Sequence, residues 1–317
     1  MVSPDTRVTV LAGGVGAARF LAGLVRVVEP AGVTAVVNVA DDVDLFGLRV
    51  SPDLDTVTYT LAGVVSPETG WGLVDETWQA MATVERLGGP TWFRLGDRDL
   101  GTHLYRTRRL AEGAPLSTVT AEIAGGWGAP CRILPVSDDR IETRVTLTDG
   151  REIGFQEYFV RERHAVEVAA VRFAGADDAR PAPGVLEAID DADVVVIAPS
   201  NPVVSIGPLL AVAGLHERLA AKRQRVVGVS PLIGGRALKG PADRLLRELG
   251  ERPDAVGVAR RYRDLAATAV IDTVDAPLAA EIEALGVRAV VTDTIMRDPE
   301  TAGALAARTV EAAVASS

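Results

Sequence analysis

Short runs of uninterrupted apolar residues, separated by longer stretches of mixed polarity, set the pattern of this chain. Val8–Ala12, Val33–Asn38, Asp193–Ala198 and Arg225–Ser230 read as buried strands, and two more are expected at Ala269–Ile271 and Val287–Val291. Between them the period lengthens. Phe20, Leu21, Leu24 and Val28 fall on one face of a helix expected over Ala17–Val28. Further helices are expected over Asp55–Ala62, Val74–Leu87 and Thr102–Ala111, the last with His103, Arg106 and Arg109 on one stripe. Strands that are apolar throughout and alternate with helices imply a parallel sheet covered on both faces. The fold class expected is α/β, a Rossmann-like three-layer sandwich with a mainly parallel sheet.

The pattern changes between about residues 130 and 175. Arg144–Leu147, a Thr148-Asp149-Gly150 turn and Arg151–Phe155 suggest a β-hairpin, and Val166–Phe173 alternates like a further strand. Ala174–Gly184 reads as a connecting loop. The expectation is one domain over 1–317, with 130–175 as an inserted β-rich subdomain.

Ligands of parallel sheets bind beyond the carboxyl ends of the strands. Four unusual segments fall there: Gly13–Gly16, Asn38–Asp42, Ser200-Asn201-Pro202 and Ser230–Gly235. In Gly13-Gly14-Val15-Gly16 the glycines let backbone amides approach a phosphate at a helix start, or simply make a tight turn. The segment lacks the G-x-G-x-x-G dinucleotide pattern and the Lys-Ser/Thr of a P-loop. Just downstream, Asp41, Asp42, Asp44, Asp53 and Asp55 crowd into a short span. Such carboxylates repel one another unless a cation lies between them, and a divalent ion is the simplest partner. Asp53 or Asp55 would serve equally as a helix N-cap. Arg94 and Arg98, in a polar loop before a helix, have the chemistry to pair with phosphate or stack on a planar ring. Asn201 offers an amide to a base or ribose edge, and Ser230 to Gly235 offers backbone amides.

Composition narrows the classes. With 317 residues, 48% hydrophobic, and a mean hydropathy of +0.19, a large core is easily built. A net charge of −10 argues against nucleic-acid and anionic-membrane partners. The single cysteine, Cys131, cannot form an internal disulfide, and no apolar run is long enough to span a membrane. A cytoplasmic protein is expected.

Taken together, GGVGAARFL (13–21), NVADD (38–42), SPDLDTVTYTLAG (51–63), LGDRDLGTH (95–103), LPVSDD (134–139), FQEYFV (155–160), APSNPVVSIGP (198–208) and SPLIGG (230–235) resemble the CofD/FbiA transferases of coenzyme F-420 biosynthesis. The resemblance covers nearly the whole chain. It implies a Mg²⁺-dependent reaction in which the ribityl hydroxyl of the deazaflavin FO attacks a GDP-linked three-carbon acid and GMP leaves. The actinobacterial look of the start, with Val15 where archaeal members more often have Thr, favours an enolpyruvyl donor and a dehydro coenzyme F-420-0 product. The alternatives are a lactyl donor, making a 2-phospho-L-lactate transferase, or a non-enzymatic nucleotide-sugar-binding regulator of the gluconeogenesis-factor type. The resemblance further implies Asp55 and Arg94 at the deazaflavin and Asp55 and Asp53 in catalysis. Asp42, Asp53 and Asp55 would bind metal. Gly13, Gly14, Val15, Gly16, Asn38, Ser200, Asn201, Ser230 and Gly234 would hold the nucleotide and its phosphates. A homodimer is expected.

Overall fold

The computed structural model describes residues 5–314. Seven strands build one sheet: β1 (Val8–Ala12), β2 (Val33–Val37), β3 (Arg132–Pro135), β4 (Val194–Ile197), β5 (Val226–Val229), β6 (Thr268–Asp272) and β7 (Arg288–Thr292). Their spatial order is β7-β6-β5-β4-β1-β2-β3, and every pairing is parallel. β1, β4 and β5 are buried at every position and rich in valine. That composition suits strands with helices on both sides, where neither face meets water. The chain runs outward from β1 to β2 and β3, then returns to β4 on the other side of β1 and runs outward again. Val8 therefore pairs with Val33 on one side and Val194 on the other. A crevice opens where the direction reverses, at the carboxyl ends of β1 and β4.

Three helices carry the residues of interest: α1 (Gly14–Leu24), α2 (Pro52–Leu61) and α3 (Asp99–Ala111). α1 starts earlier than its apolar period suggests and stops at Leu24, where the β-branched Val25, Val27 and Val28 form turns instead. The helix expected over Val74–Leu87 is confined to Gln79–Arg86. Its would-be first turn is spent elsewhere: Glu76 accepts the backbone N–H groups of Arg98 and Asp99, each at 2.8 Å, and so caps α3 from a distance. In return the Asp97 carboxylate accepts from Gln79 N and Ala80 N. α3 accordingly begins at Asp99 rather than at Thr102.

Glu142–Leu147 forms an antiparallel sheet with Glu152–Gly154 and Val168–Ala174. Thr143, Val145 and Leu147 point inward, and Val145, Leu147 and Ile153 join the same buried cluster as the main sheet. β3 belongs to the central sheet, as its edge beside β2. The chain beyond Gly154 leaves the hairpin in a π-helical turn, Glu157–Arg161, where Phe155, Phe159 and His164 stack in a row. Among the described residues no helix is long and apolar enough to cross a membrane.

Candidate active site

The turn out of β1 enters α1 directly. Gly14 adopts φ +71°, a left-handed conformation that favours glycine. Gly16 is needed for space: a Cβ there would lie 2.3 Å from the Pro199 carbonyl oxygen. The loop after β4 thus rests against the start of α1, and Ser200 Oγ fastens it by donating to Gly13 O at 2.8 Å. Asp53, in the first turn of α2, ties in the loop after β2. It accepts from Gly14 N at 2.9 Å and from Asn38 Nδ2 at 3.0 Å. Ser51, not either aspartate, is the N-cap of α2, so Asp53 and Asp55 are free to reach other segments. With Gly14 N given to Asp53, the amides of Val15 and Gly16 are the donors that the start of α1 offers an anion.

Four aspartates converge here, none more than 9% exposed: Asp41, Asp42, Asp53 and Asp55. Asp42 accepts from Ser51 Oγ at 2.7 Å. Burial pushes its carboxyl up to about 7 despite Ser51 and the nearby Arg106 and Arg49. Burial likewise lifts Asp53 to about 6 against its bonds from Asn38 and Gly14. Asp41 is raised well above the ordinary carboxylate range, first by burial and then by the charge of Asp53. Its Oδ1 is buried with no hydrogen-bond partner, while Gln156 Nε2 holds its backbone carbonyl at 3.1 Å. Asp41 and Asp53 carry hard oxygen atoms, the Oδ1 of Asp41 orphaned, and are the carboxyls here with chemistry suited to a divalent cation, while Asp42 lies near Arg106 and Arg49.

Asp55 sits in a different environment. Both its oxygens are taken by the guanidinium of Arg106, 2% exposed, with Nη1 at 3.2 Å from Oδ2 and Nη2 against Oδ1. His103 Nδ1 lies 3.7 Å from Asp55 Oδ2, and its Nε2 lies 3.3 Å from Asp99 Oδ2. Tyr59 OH donates to Asp99 Oδ1 at 2.6 Å. Burial pushes the Asp55 carboxyl up while Arg106 and His103 pull it back. Arg106 is held above its ordinary value, because the attraction of Asp55 outweighs the cost of burial. The expected stripe on α3 splits: His103 and Arg106 face α2, while Arg109 turns to Glu112 and Glu122.

Arg94 stands outside this network, its guanidinium 4.5 Å from the centre of the Trp78 ring. Asn201 spends its side-chain oxygen on its own loop, accepting from Val203 N at 2.9 Å. Ser230 does the same, bonding to both ends of Leu232, and Gly234 N donates to Asp275. The structure therefore brings Gly13, Gly14, Asn38, Asp53 and Ser200 into direct contact. Arg106 acts electrostatically on both Asp42 and Asp55, and the Ser230–Gly235 loop lies one strand further along the rim. Sequence reasoning counted Asp41 in the carboxylate cluster and Arg106 on a helix stripe without giving either a site role, and it missed Trp78. The signal for Arg106 was the burial spacing of Thr102, His103 and Arg106 on an otherwise polar helix.

Comparison with known proteins identifies the family and the fold. Residues 8–298 match the family described as 2-phospho-L-lactate transferase CofD. The chain is 48% identical to a phosphoenolpyruvate transferase of Streptomyces griseus over 312 residues, 97% of this chain and 98% of that protein. It is 45% identical to a phosphoenolpyruvate transferase of Nocardia farcinica over 311 residues, 95% and 93% of the two chains. A crystal structure of a UPF0052 family protein from Bacillus halodurans superposes with a TM-score of 0.65 at 18% identity, covering 96% of this chain and 99% of that one. At that identity the likeness shows the fold.

Proposed function

The chain belongs to the CofD family of transferases, and from that premise we propose that it moves a phosphoenolpyruvyl group from enolpyruvyl-diphospho-guanosine to the ribityl hydroxyl of FO. An O–P bond forms at the phosphorus bearing the enolpyruvyl group, the anhydride P–O bond breaks, GMP leaves and the hydroxyl proton is lost. The product is dehydro coenzyme F-420-0. The relatives named phosphoenolpyruvate transferase, at 45–48% identity, favour this donor over the lactyl one.

The observation that carries the reading is Asp53. It joins the glycine loop to the buried acids, so a diphosphate resting on the start of α1 would lie beside a cation held by carboxylates. Such transfers depend on positioning and charge neutralisation more than on covalent chemistry. Mg²⁺, when bound, would supply that neutralisation, and Asp41 and Asp53 are the residues that would hold it. The amides of Val15 and Gly16 hold phosphate. Ser200, Asn201 and the Ser230–Gly235 loop line the rim where guanosine would lie. Asp55 keeps lone pairs beyond those given to Arg106 and accepts from the attacking hydroxyl. Arg94, exposed on Trp78, meets the deazaflavin plane. The protein would work in the cytoplasm as a homodimer.

The test is product mass after incubating the protein with FO, Mg²⁺ and either GDP-linked enolpyruvate or GDP-linked lactate made in situ. A product two hydrogens lighter than the phospholactyl compound supports the proposal. The saturated product alone reverses the donor. No product from either, with a UDP-sugar bound in preference to GDP, would favour the regulatory binding protein.

A further inference from the structure

Asp55, Asp99 and His103 present three ligand-type atoms within 4.8 Å of one another, the grouping expected of a small metal centre. Their surroundings contradict that use. Arg106 Nη1 lies 3.2 Å from Asp55 Oδ2 and 3.3 Å from His103 Nδ1, so a fixed cation already addresses two of the three residues. Since a guanidinium only donates, Nδ1 is the acceptor nitrogen, while Nε2 lies 3.3 Å from Asp99 Oδ2 without a formed hydrogen bond. Asp99 is occupied in turn by Tyr59 OH. Burial would raise Asp99, yet contact with His103 and Tyr59 carries it below its ordinary value, as for an ion already compensated. Every member is at most 13% exposed at its side chain, so water does not share the task. Asp41 and Asp53 contrast with this: among the described residues no arginine or lysine bonds to either.

We propose that Arg106 is a positioning residue that excludes metal from Asp55 and locks its carboxylate toward the acceptor hydroxyl, with His103, Asp99 and Tyr59 fixing it from behind. The cation is then confined to the Asp41–Asp53 side, and α3 acts on the acceptor rather than on the donor. A planar fork with two parallel bonds sets the rotation of a carboxylate as well as its charge, which the point charge of lysine does not. The inference rests on the transferase reading for the acceptor's identity, but its metal component does not.

The experiment compares wild type, Asp55→Asn, Asp53→Asn, Arg106→Lys and the neutral double variant Asp55→Asn/Arg106→Gln, each checked for folding by circular dichroism. Mn²⁺ binding is measured by calorimetry with GDP present, and KM for FO and for the GDP-linked donor are measured separately. The expected result is Mn²⁺ affinity within about threefold of wild type in Asp55→Asn, a loss of roughly tenfold or more in Asp53→Asn, and in Arg106→Lys a rise in KM for FO with the donor KM unchanged. The double variant should turn over no more slowly than Asp55→Asn alone, since the two residues act as a unit. Loss of Mn²⁺ binding in Asp55→Asn, or equal rises in both KM values in Arg106→Lys, would overturn the proposal. If wild type fails to turn over FO, the transferase reading falls, while the Mn²⁺ comparison still decides whether Asp55 is a ligand.

Discussion

Two exposed or half-exposed helical glycines with ordinary φ separate close approach from helix propensity. Gly16 lies in the first turn of α1, and Gly125 lies in the helix Leu116–Trp127. A methyl added at Gly125 meets nothing within 4 Å, whereas one at Gly16 meets the Pro199 carbonyl at 2.3 Å. Gly125→Ala should therefore stabilise the fold by about 0.5–1 kcal/mol, the propensity difference alone. At Gly16 that gain is opposed by a contact about 1 Å shorter than carbon and oxygen tolerate, so backbone must move, at a cost of about 1–3 kcal/mol. The two variants should thus differ by about 2 kcal/mol and in sign. The displaced segment also carries Ser200, whose bond to Gly13 O closes the crevice. Nucleotide affinity should fall in Gly16→Ala and stay unchanged in Gly125→Ala. Urea unfolding and calorimetric GDP binding read the two effects. If Gly16→Ala stabilises as Gly125→Ala does and binds GDP normally, the two loops are not packed as argued.

Three further outcomes are expected. Asp42 and Asp53 titrate near 7 and 6 when folded, against 3.8 for the free side chain, so the metal-free protein should hold this stability below about pH 4 and lose at most about 7 kcal/mol as pH rises through 7. Urea unfolding in EDTA across that range checks it, and Asp42→Asn should flatten the slope; an unchanged slope would reject the assignment. Arg94→Ala should weaken FO binding roughly tenfold with little effect on GDP, as read by fluorescence and calorimetry, since its guanidinium stands on Trp78 away from the phosphate loop. Equal losses for both ligands would assign Arg94 a structural role. Tyr59→Phe should cost about 1 kcal/mol through the lost bond to Asp99, measured by thermal unfolding, and no change would mean that Asp99 is held by His103 alone.

The sheet was legible because its strands are apolar on both faces, a pattern with no competing explanation in β1, β2, β4 and β5. The rim was legible for the same reason: the glycine, asparagine and serine segments follow directly from those strand ends. Helix starts were harder. α3 is capped by Glu76, which is remote in sequence, and the segment before Gln79 looks helical until its polar groups are seen to serve that cap. The division of labour among the aspartates was not legible at all. Asp53 and Asp55 lie two residues apart on one helix turn, yet one faces the Gly14 backbone amide and the Asn38 side-chain amide and the other an arginine from α3, and only the packing of α3 against α2 separates them. Arg106 itself read as one more basic residue on a charged helix.

The pairing of β1 with β4 also bears on how this chain is made. The crevice closes only when Ser200 meets Gly13, 187 residues later. At about 5–20 residues per second, a ribosome needs roughly 10–40 s to supply that span. Throughout that interval β1 offers one bare, unpaired edge in the middle of the future sheet. Nascent chains of this protein should therefore depend on holding factors until β4 emerges, and truncation anywhere before residue 194 should yield aggregates rather than a smaller stable domain.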